Sequence, residues 1–586
     1  MVRATFAGFS TALSAIQANQ KRLDVVGHNL ANMNTVGYTR QQLETSSINY
    51  RTPVSNYMNG SEIIVGFGVS MDRVSQIRDP YLDVQYRAQM QKSGYTDAMQ
   101  TALDSLAKIF DESDAGVEGM RKALDNIYSS LQAMHDSPNV KDPIFEADVR
   151  TKMQALTNLL NEADRQITEA EQLERQRLDG TDTSERGAVQ EVNDILMQIG
   201  NLNRQIKQNQ ILGQQSLELM DERNVLLDEL SSYIPIEVTY YKDRMHDGVA
   251  EGTQTAQDAL AEMYHLDSNG NPIAKKEWPD DLRVEMTYYD DAGNMQRITL
   301  VEGTEGSGRQ NYGQFTLTPG VANPPDPTNF TLTIQGSEKN LVTGNAASLV
   351  LSEANMAASG NKGTHQLTGG SIQASLDMLW KDGSTAGIND VRGYEYYRDE
   401  MNKVAKAFSD VMNAINNHNH PNGPGQDLLV DRTGAGGTIT AANIGINPDW
   451  VSGSVHINTG SNGDNPNDPI LNMMEALKST WPYNGTNLGF ITAGPDLKNN
   501  NFGDYMNHIA TTLGNDSYNN TVALKTNVTV LNGIQNSRDS MSGVSLNEEA
   551  SNMMMFQSAY QAASRLMTAL DQVLDTLINN TGTCGR

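Results

Sequence analysis

Cysteine is all but missing from this 586-residue chain: Cys584, in the tail, stands alone. A single thiol excludes a disulfide framework within one chain, so the fold must be held by packing. Long apolar runs are missing too. No stretch of 18 apolar residues occurs, so no membrane-spanning helix is expected. Met1 to Gly8 lack the apolar core and cleavage site of a secretory signal, so export, if it occurs, would use a route that removes no N-terminal peptide. Basic side chains are scarce, 43 against 71 acidic ones, for a formal charge of -28 without any dense Lys/Arg block. Nucleic-acid binding, which rests on clustered cations, is thereby excluded, and the charge reads as a means of solubility. Aromatic residues make up 6% and hydrophobic residues 38%. Both are low for one compact globule of this length, and suit an elongated molecule of about three to five units.

Residues that could carry chemistry are present but not arranged for it. His418-Asn419-His420 brings two histidines close, yet spacing places no third ligand beside them. Asp267, Asn269 and Asn271 imitate a calcium loop that then fails at Pro272 and Trp278, where Gly and Glu are required. No phosphate-binding glycine loop or dinucleotide fingerprint appears, and Cys584 has no evident base. The pairs Glu548-Glu549 and Asp290-Asp291 read as a solvated helix start and a turn. No catalytic residue, cofactor or metal site is expected, and the chain is not expected to be an enzyme.

The two ends carry the strongest pattern. Leu546, Met553, Tyr560, Met567 and Leu574 recur every seven residues, with Phe556, Ala563, Leu570 and Leu577 as a second row. This is the a/d seam of a coiled coil, and it makes seam packing a better account of Met553-Met554-Met555 than a Met-lined groove. The N-terminus carries a narrower stripe, Phe9, Leu13, Ile16, Leu23, Val26 and Leu30, before a polar run from Asn29 to Gln41. Each strip needs an apolar partner, so the ends are expected to pair with each other or with other copies of the chain.

Between them the order is helix, strand, helix. Residues 41–78, including Ile63-Ile64-Val65-Gly66-Phe67-Gly68-Val69, read as short strands and turns. Asp79-Pro80 starts a helix, and helical stripes then run to about residue 230. Tyr95, Met99, Leu103, Leu106 and Phe110 form one stripe, and Leu124, Ile127, Leu131 and Met134 another. A long helix from Ile144 to Leu178 follows, and a return helix carries Val192, Ile195, Ile199, Leu202 and Ile206. From 236 to about 360 the chain is β-rich, with a hairpin turning at Asp290 to Asn294. Helix returns at Ser371, taken as an N-cap, and continues through Leu376 and Tyr396 to Ile415. A loop-rich stretch from about 417 to 500 precedes the last helices. The expected fold is mainly α with a β-rich insertion: an elongated multidomain chain with paired N- and C-terminal coiled-coil helices, a helical bundle and an outer β domain. The domains are drawn as 1–60 with 515–586 (terminal assembly), 61–235 with 361–514 (bundle) and 236–360 (insertion).

The polar run resembles the signature of bacterial flagellar axial proteins through Asn29, Asn32, Asn34, Thr35, Gly37, Tyr38, Arg40 and Gln41. Arg-Gln after the Gly-Tyr pair is similar to the hook-associated protein 1, or FlgK, family of the hook-filament junction. Asp221-Glu222-Arg223-Asn224 through Ser231, the Gly369-Gly370-Ser371 turn, and Arg538 through Ala550 with Phe556 through Ala563 also resemble that family. The match covers about residues 1–235, 360–420 and 500–586. It implies a structural component of the flagellum that self-assembles at the hook tip as an adaptor between hook and filament. The implied partners are copies of itself, the hook protein, a second junction protein and flagellin. It further implies export in unfolded form through the flagellar type III apparatus with an export chaperone of the FlgN type, and a place outside the cell after a cytoplasmic stage. The alternative is a hook or rod subunit, which would lack the Asp221 to Ser231 motif and the long bundle. Arg40 and Gln41 would hydrogen-bond either neighbouring subunits or their own chain.

Overall fold

The structure, a computed structural model, describes residues 5–48, 68–110, 116–180, 186–242, 264–266, 272–275, 279–290, 293–303, 310–320, 326–337, 347–353, 366–383, 391–433, 437–460, 468–483, 488–491, 494–576 and 578. Helix α1 (Thr5–Ala31) leads into the antiparallel strands β1 (Gln41–Ser47) and β2 (Val69–Gln76). Helix α2 (Pro80–Ile109) begins at the expected cap, where Asp79 accepts from the Tyr81 N–H at 2.9 Å. Pro80 follows, its missing N–H harmless in the first turn. After α3 (Val117–His135), Asp142 and Pro143 repeat this device at the start of α4 (Pro143–Asp179), with the Ile144 N–H 3.0 Å from the Asp142 carboxylate. The chain turns back through α5 (Ala188–Ile211) and continues into α6 (Leu217–Tyr233).

Among the described residues the insertion forms two larger sheets and a separate hairpin. Strands β3 (Ile236–Lys242), β6 (Asp280–Tyr289) and β7 (Met295–Glu302) build one, around β6, and a short hairpin of β4 (Tyr264–Leu266) and β5 (Pro272–Lys275) stands apart. The expected β6–β7 hairpin is present, its turn closed by Gly293 N–H to Asp290 C=O at 2.8 Å. Strands β8 (Gln314–Pro319), β9 (Phe330–Gln335) and β10 (Ser348–Ser352) form the second sheet with β9 central. Phe330, Leu332 and Ile334 alternate inward along β9, the period of a sheet with one buried face.

Strand β11 (Gln366–Leu367) joins β6 and leads to helix α7 (Ser371–Trp380). Its cap is Gly370 and not Ser371. The backbone there has φ 90° and presses against the Tyr233 carbonyl, conditions only glycine meets without strain. The single helix expected from 371 to 415 is also two, since α7 ends at Trp380 and α8 spans Tyr394–Asn417. Both ends are tied across the break by Gly393 N–H to Lys381 C=O at 2.9 Å. Strands β12 (Leu429–Asp431) and β13 (Ile444–Ile446) and helices α9 (Pro448–Ser452) and α10 (Asp468–Lys478) punctuate the loop-rich stretch before the two final helices, α11 (Phe502–Ser542) and α12 (Leu546–Asp575).

One continuous apolar core runs from α2 through α8 and both sheets to the first turns of α11, where Phe502 meets Phe408 edge-on at 6.0 Å. Among the described residues none of α1 or α12 belongs to it. Helix α11 bridges the two regions and crosses the domain boundary drawn at 514/515 without a break. Along α2 its buried Leu513 and half-buried Ser517, Asn520, Leu524, Asn527, Leu531, Ile534 and Arg538 alternate four and three apart. That is a second coiled-coil seam, with two asparagines in it. Asn520 donates to the Thr96 carbonyl at 2.8 Å and to Gln100 at 3.0 Å. Asn527 accepts from Gln89 at 3.0 Å.

Candidate assembly site

The polar run after α1 folds around one side chain. Asn29 is buried, and its amide nitrogen donates to the Gln41 carbonyl at 3.0 Å. Its oxygen accepts from the Gln41 N–H at 3.0 Å and from the Tyr38 hydroxyl at 2.8 Å. The loop between is closed by Asn32 donating to the His28 carbonyl at 3.1 Å and by the Thr35 N–H donating to the Asn32 carbonyl at 2.9 Å. Gly37 has φ 78°, and a Cβ there would lie 2.2 Å from the Val225 side chain, so α6 packs where any other residue would stand. Burial first, then the carboxylates of Glu218, Asp221 and Glu549, push the Tyr38 phenol well above its usual range, so it stays a donor.

From this loop a polar network reaches into the bundle. Thr39 donates from its N–H to Asp221 at 3.0 Å and from its hydroxyl at 2.6 Å. Burial raises the Asp221 carboxyl while the two Thr39 bonds pull the other way. Arg78 lies 2.5 Å from Asp83 and 3.8 Å from Asp221. Arg87 donates to Asp228 at 2.8 Å, and Arg538 of α11 spans Asp83 at 3.1 Å and Asp228 at 2.8 Å while covering the Tyr86 ring at 4.3 Å. Three arginines thus neutralise three aspartates at the point where α2, α6, α11 and the motif loop converge. The Asp221 to Ser231 segment, noted in the sequence only as a resemblance, supplies both the anchor of the loop and half of this joint.

Arg40 closes the site onto the other end of the chain. Its backbone N–H donates to the Ser542 carbonyl at 2.8 Å, and its guanidinium bonds Glu548 at 2.6 Å and Glu549 at 2.7 Å. Gln41 donates to Glu218 at 3.2 Å. Both motif residues therefore bond within their own chain. The solvated helix start expected for Glu548-Glu549 holds for Glu548 alone, because Glu549 turns inward to meet Arg40 and its side chain is 1% exposed. A pair of adjacent acids shows in the sequence as charge. Only the helical phase that the Ser545 cap sets on α12 decides which of the two is buried.

Helix α1 packs along α12. Val26 is buried, Ile16, Leu23 and Leu30 are half-buried, and Leu13 is 48% exposed. Ala12, Ala18 and Val25 take the buried places between them. On α12, Ala563 is buried, and Phe556, Tyr560, Met567, Leu570 and Leu574 are half-buried. Leu546 and Met553, at the head of the first row, face solvent. Leu570 touches Gly8 at 3.3 Å from its would-be Cβ, and Arg22 lies over the Phe556 ring at 5.4 Å. Leu577, Cys584, Asp291, Ile63 to Phe67, the Asp267 to Asn271 segment and Trp278 lie outside the described residues. Asn34 is exposed. His418 stacks on Phe490 at 3.9 Å while His420 contacts the His456 carbonyl at 3.3 Å, so these histidines serve separate partners. Among the described residues no three His, Cys, Asp or Glu side chains come together as a metal site, and no helix is long and apolar enough to cross a membrane.

Residues 103–300 match the family model described as the flagellar hook-associated protein FlgK helical domain. Residues 9–39 match the flagella basal body rod protein model and 535–580 the C-terminal model of the FlgEFG rod proteins. Flagellar hook-associated protein 1 of Bacillus subtilis is 27% identical over 591 residues, covering 99% of either chain. The protein of that name in Salmonella typhimurium is 25% identical over 49% of this chain and 47% of its own length, and that of Escherichia coli 23% identical over 49% and 48%. The structure of the flagellar hook junction protein FlgK from Burkholderia pseudomallei aligns at 19% identity over 59% of this chain and 46% of that one, with a TM-score of 0.37. Both ends are thus similar to flagellar rod proteins, the middle to the hook-associated helical domain, and the chain as a whole, end to end, to a flagellar hook-associated protein 1.

Proposed function

We propose that this chain is a structural, non-enzymatic adaptor that assembles with copies of itself at the tip of the flagellar hook and joins hook to filament. The observation that carries this is the isolation of the α1–α12 pair from the core. Among the described residues its buried apolar side chains are Ala12, Ala18, Val25, Val26 and Ala563, while Leu13, Leu546, Met554, Met555, Leu566 and Val573 remain exposed. At about 25 cal/mol per Å² of apolar surface, so few small buried groups offset little of the backbone entropy of two long helices. Contacts with neighbouring subunits would supply the rest, so completion of these helices and assembly are one event. Head-to-tail contacts with a small rotation then generate a ring or helical turn. The same marginal stability suits export in unfolded form through the flagellar type III apparatus under a chaperone of the FlgN type, with hook protein below and a second junction protein and flagellin above.

The test is a deletion strain viewed by electron microscopy. Hooks without filaments, with flagellin shed into the medium, are expected, and loss of the hooks themselves would make the chain a rod or hook subunit. A chain lacking residues 1–40 and 545–586 should fail to appear at hook tips.

A further inference from the structure

A cleft of about 390 Å³ opens between α1, the start of β1 and α12, walled by Val26, Leu43, Ile77 and Phe556. Glu549 lines it, and its two oxygens differ. Oε1 accepts from Arg40 at 2.7 Å, whereas Oε2 is buried and meets no donor among the described residues. A buried acceptor without a donor is costly, so the cleft calls for an N–H or O–H group. The charged side chains lining it are Arg22, Arg40 and Glu549, and Glu548 pairs with Arg40 from outside the cleft, so a further cation would be in excess. The fitting occupant is a neutral donor on an apolar body.

The motif loop has that chemistry. Val36 is 88% and Met33 42% exposed at its tip. Asn34 is exposed with its amide unpartnered among the described residues, while the other motif side chains, and Gly37 through its fit against Val225, are engaged within the chain. The loop lines a different cleft, against Tyr86 and Val225, and the two clefts share no residue. Held there by Asn29 and α6, it does not line the cleft of its own chain. Separate donor and acceptor surfaces are what a head-to-tail contact between copies requires.

We propose that the loop Met33 to Val36 of a second copy of this chain seats in the cleft, with its Asn34 amide donating to Glu549 Oε2 and its Val36 against Phe556. This rests on the self-assembly proposed above and names one contact within it.

The test uses the full chain carrying Cys584→Ser, with Val36→Cys at the loop tip and Asn552→Cys at the cleft rim. Mild oxidation of assembled junctions should give a ladder of disulfide-linked multimers, and the single-cysteine chains should not. In parallel, Glu549→Gln keeps an oxygen for Arg40 but presents an NH2 in place of the acceptor. It should raise the concentration needed for assembly at least tenfold, and adding Asn34→Asp, which accepts where Asn34 donated, should restore it. Normal junctions without a ladder, or Glu549→Gln assembling like the parent, would overturn the contact. Failure of the parent chain to assemble at all would instead overturn the functional reading.

Discussion

Asn29 does with one side chain what a neighbouring strand does with its backbone: it offers a donor and an acceptor to the same residue, Gln41, and takes a third bond from Tyr38. Removing it leaves buried polar groups unpaired. Asn29→Ala should cost about 2–4 kcal/mol in denaturant unfolding of the terminal region. Asn29→Asp, which keeps the acceptor and loses the donor, should cost less. Glu171 makes a second residue-scale case. It is wholly buried, Arg398 bonds one of its oxygens at 2.5 Å, and the other meets no donor among the described residues. Burial, outweighing Arg398, lifts its carboxyl from 4.5 to about 7. Between those values the folded chain holds a proton that the unfolded chain has released, so stability should fall as pH rises from 4.5 to about 7 and level off above. Glu171→Gln should remove that slope, so its stability relative to the parent, followed by melts at several pH values, should improve across the same window. A sequence gives no hint of either residue's burial.

Among elements, the α2–α11 pair shows where periodicity is read and where it is missed. The apolar stripes of the bundle helices are plain in the sequence because their seams are apolar. The seam of α11 is not, because Ser517, Asn520, Asn527 and Arg538 hold half of its positions and break the apolar count while keeping its spacing. Polar layers of this kind fix register at a cost in stability. Asn520→Leu with Asn527→Leu should raise the melting midpoint by roughly 1–3 °C. The same change should broaden the distance distribution between spin labels placed on α2 and α11, as the helices lose their defined register. A single sharp distance would show that Arg538 and its aspartates set the register unaided. The break between α7 and α8 was illegible for the opposite reason, since apolar residues on either side of it fall in phase with one helix.

At the scale of the whole molecule, two regions differ in how they are held. The core from α2 to α11 is continuous and apolar, whereas the α1–α12 pair lies outside it and is tied to it by the Thr39 bonds to Asp221, the Gln41 bond to Glu218 and the Arg40 N–H bond to Ser542. Calorimetry of the lone chain should therefore show a weak transition at low temperature ahead of the main one. Deleting residues 545–586 should abolish the first and leave the second within a few degrees. One merged transition would mean that the ends are part of the core.

What the sequence determined by itself was the kind of molecule. Heptads at the C-terminus, a narrower apolar stripe at the N-terminus, helical stripes between them, a β-rich insertion and a motif flanking α1 are local patterns, and local patterns survive in one dimension. Proline and aspartate marked helix starts for the same reason, since a cap is made by neighbours in the chain. What only the tertiary structure decided was which of those residues meet. Arg40 and Glu549 are separated by most of the chain, as are Asp228 and Arg538 from each other, and no periodicity records such a pairing. Burial of Glu549, engagement of Arg40 within its own chain, and exposure of Leu13 and Leu546 all follow from how α1 and α12 sit against each other and against α6. That placement is fixed by long-range packing and charge pairing, which a linear pattern does not contain.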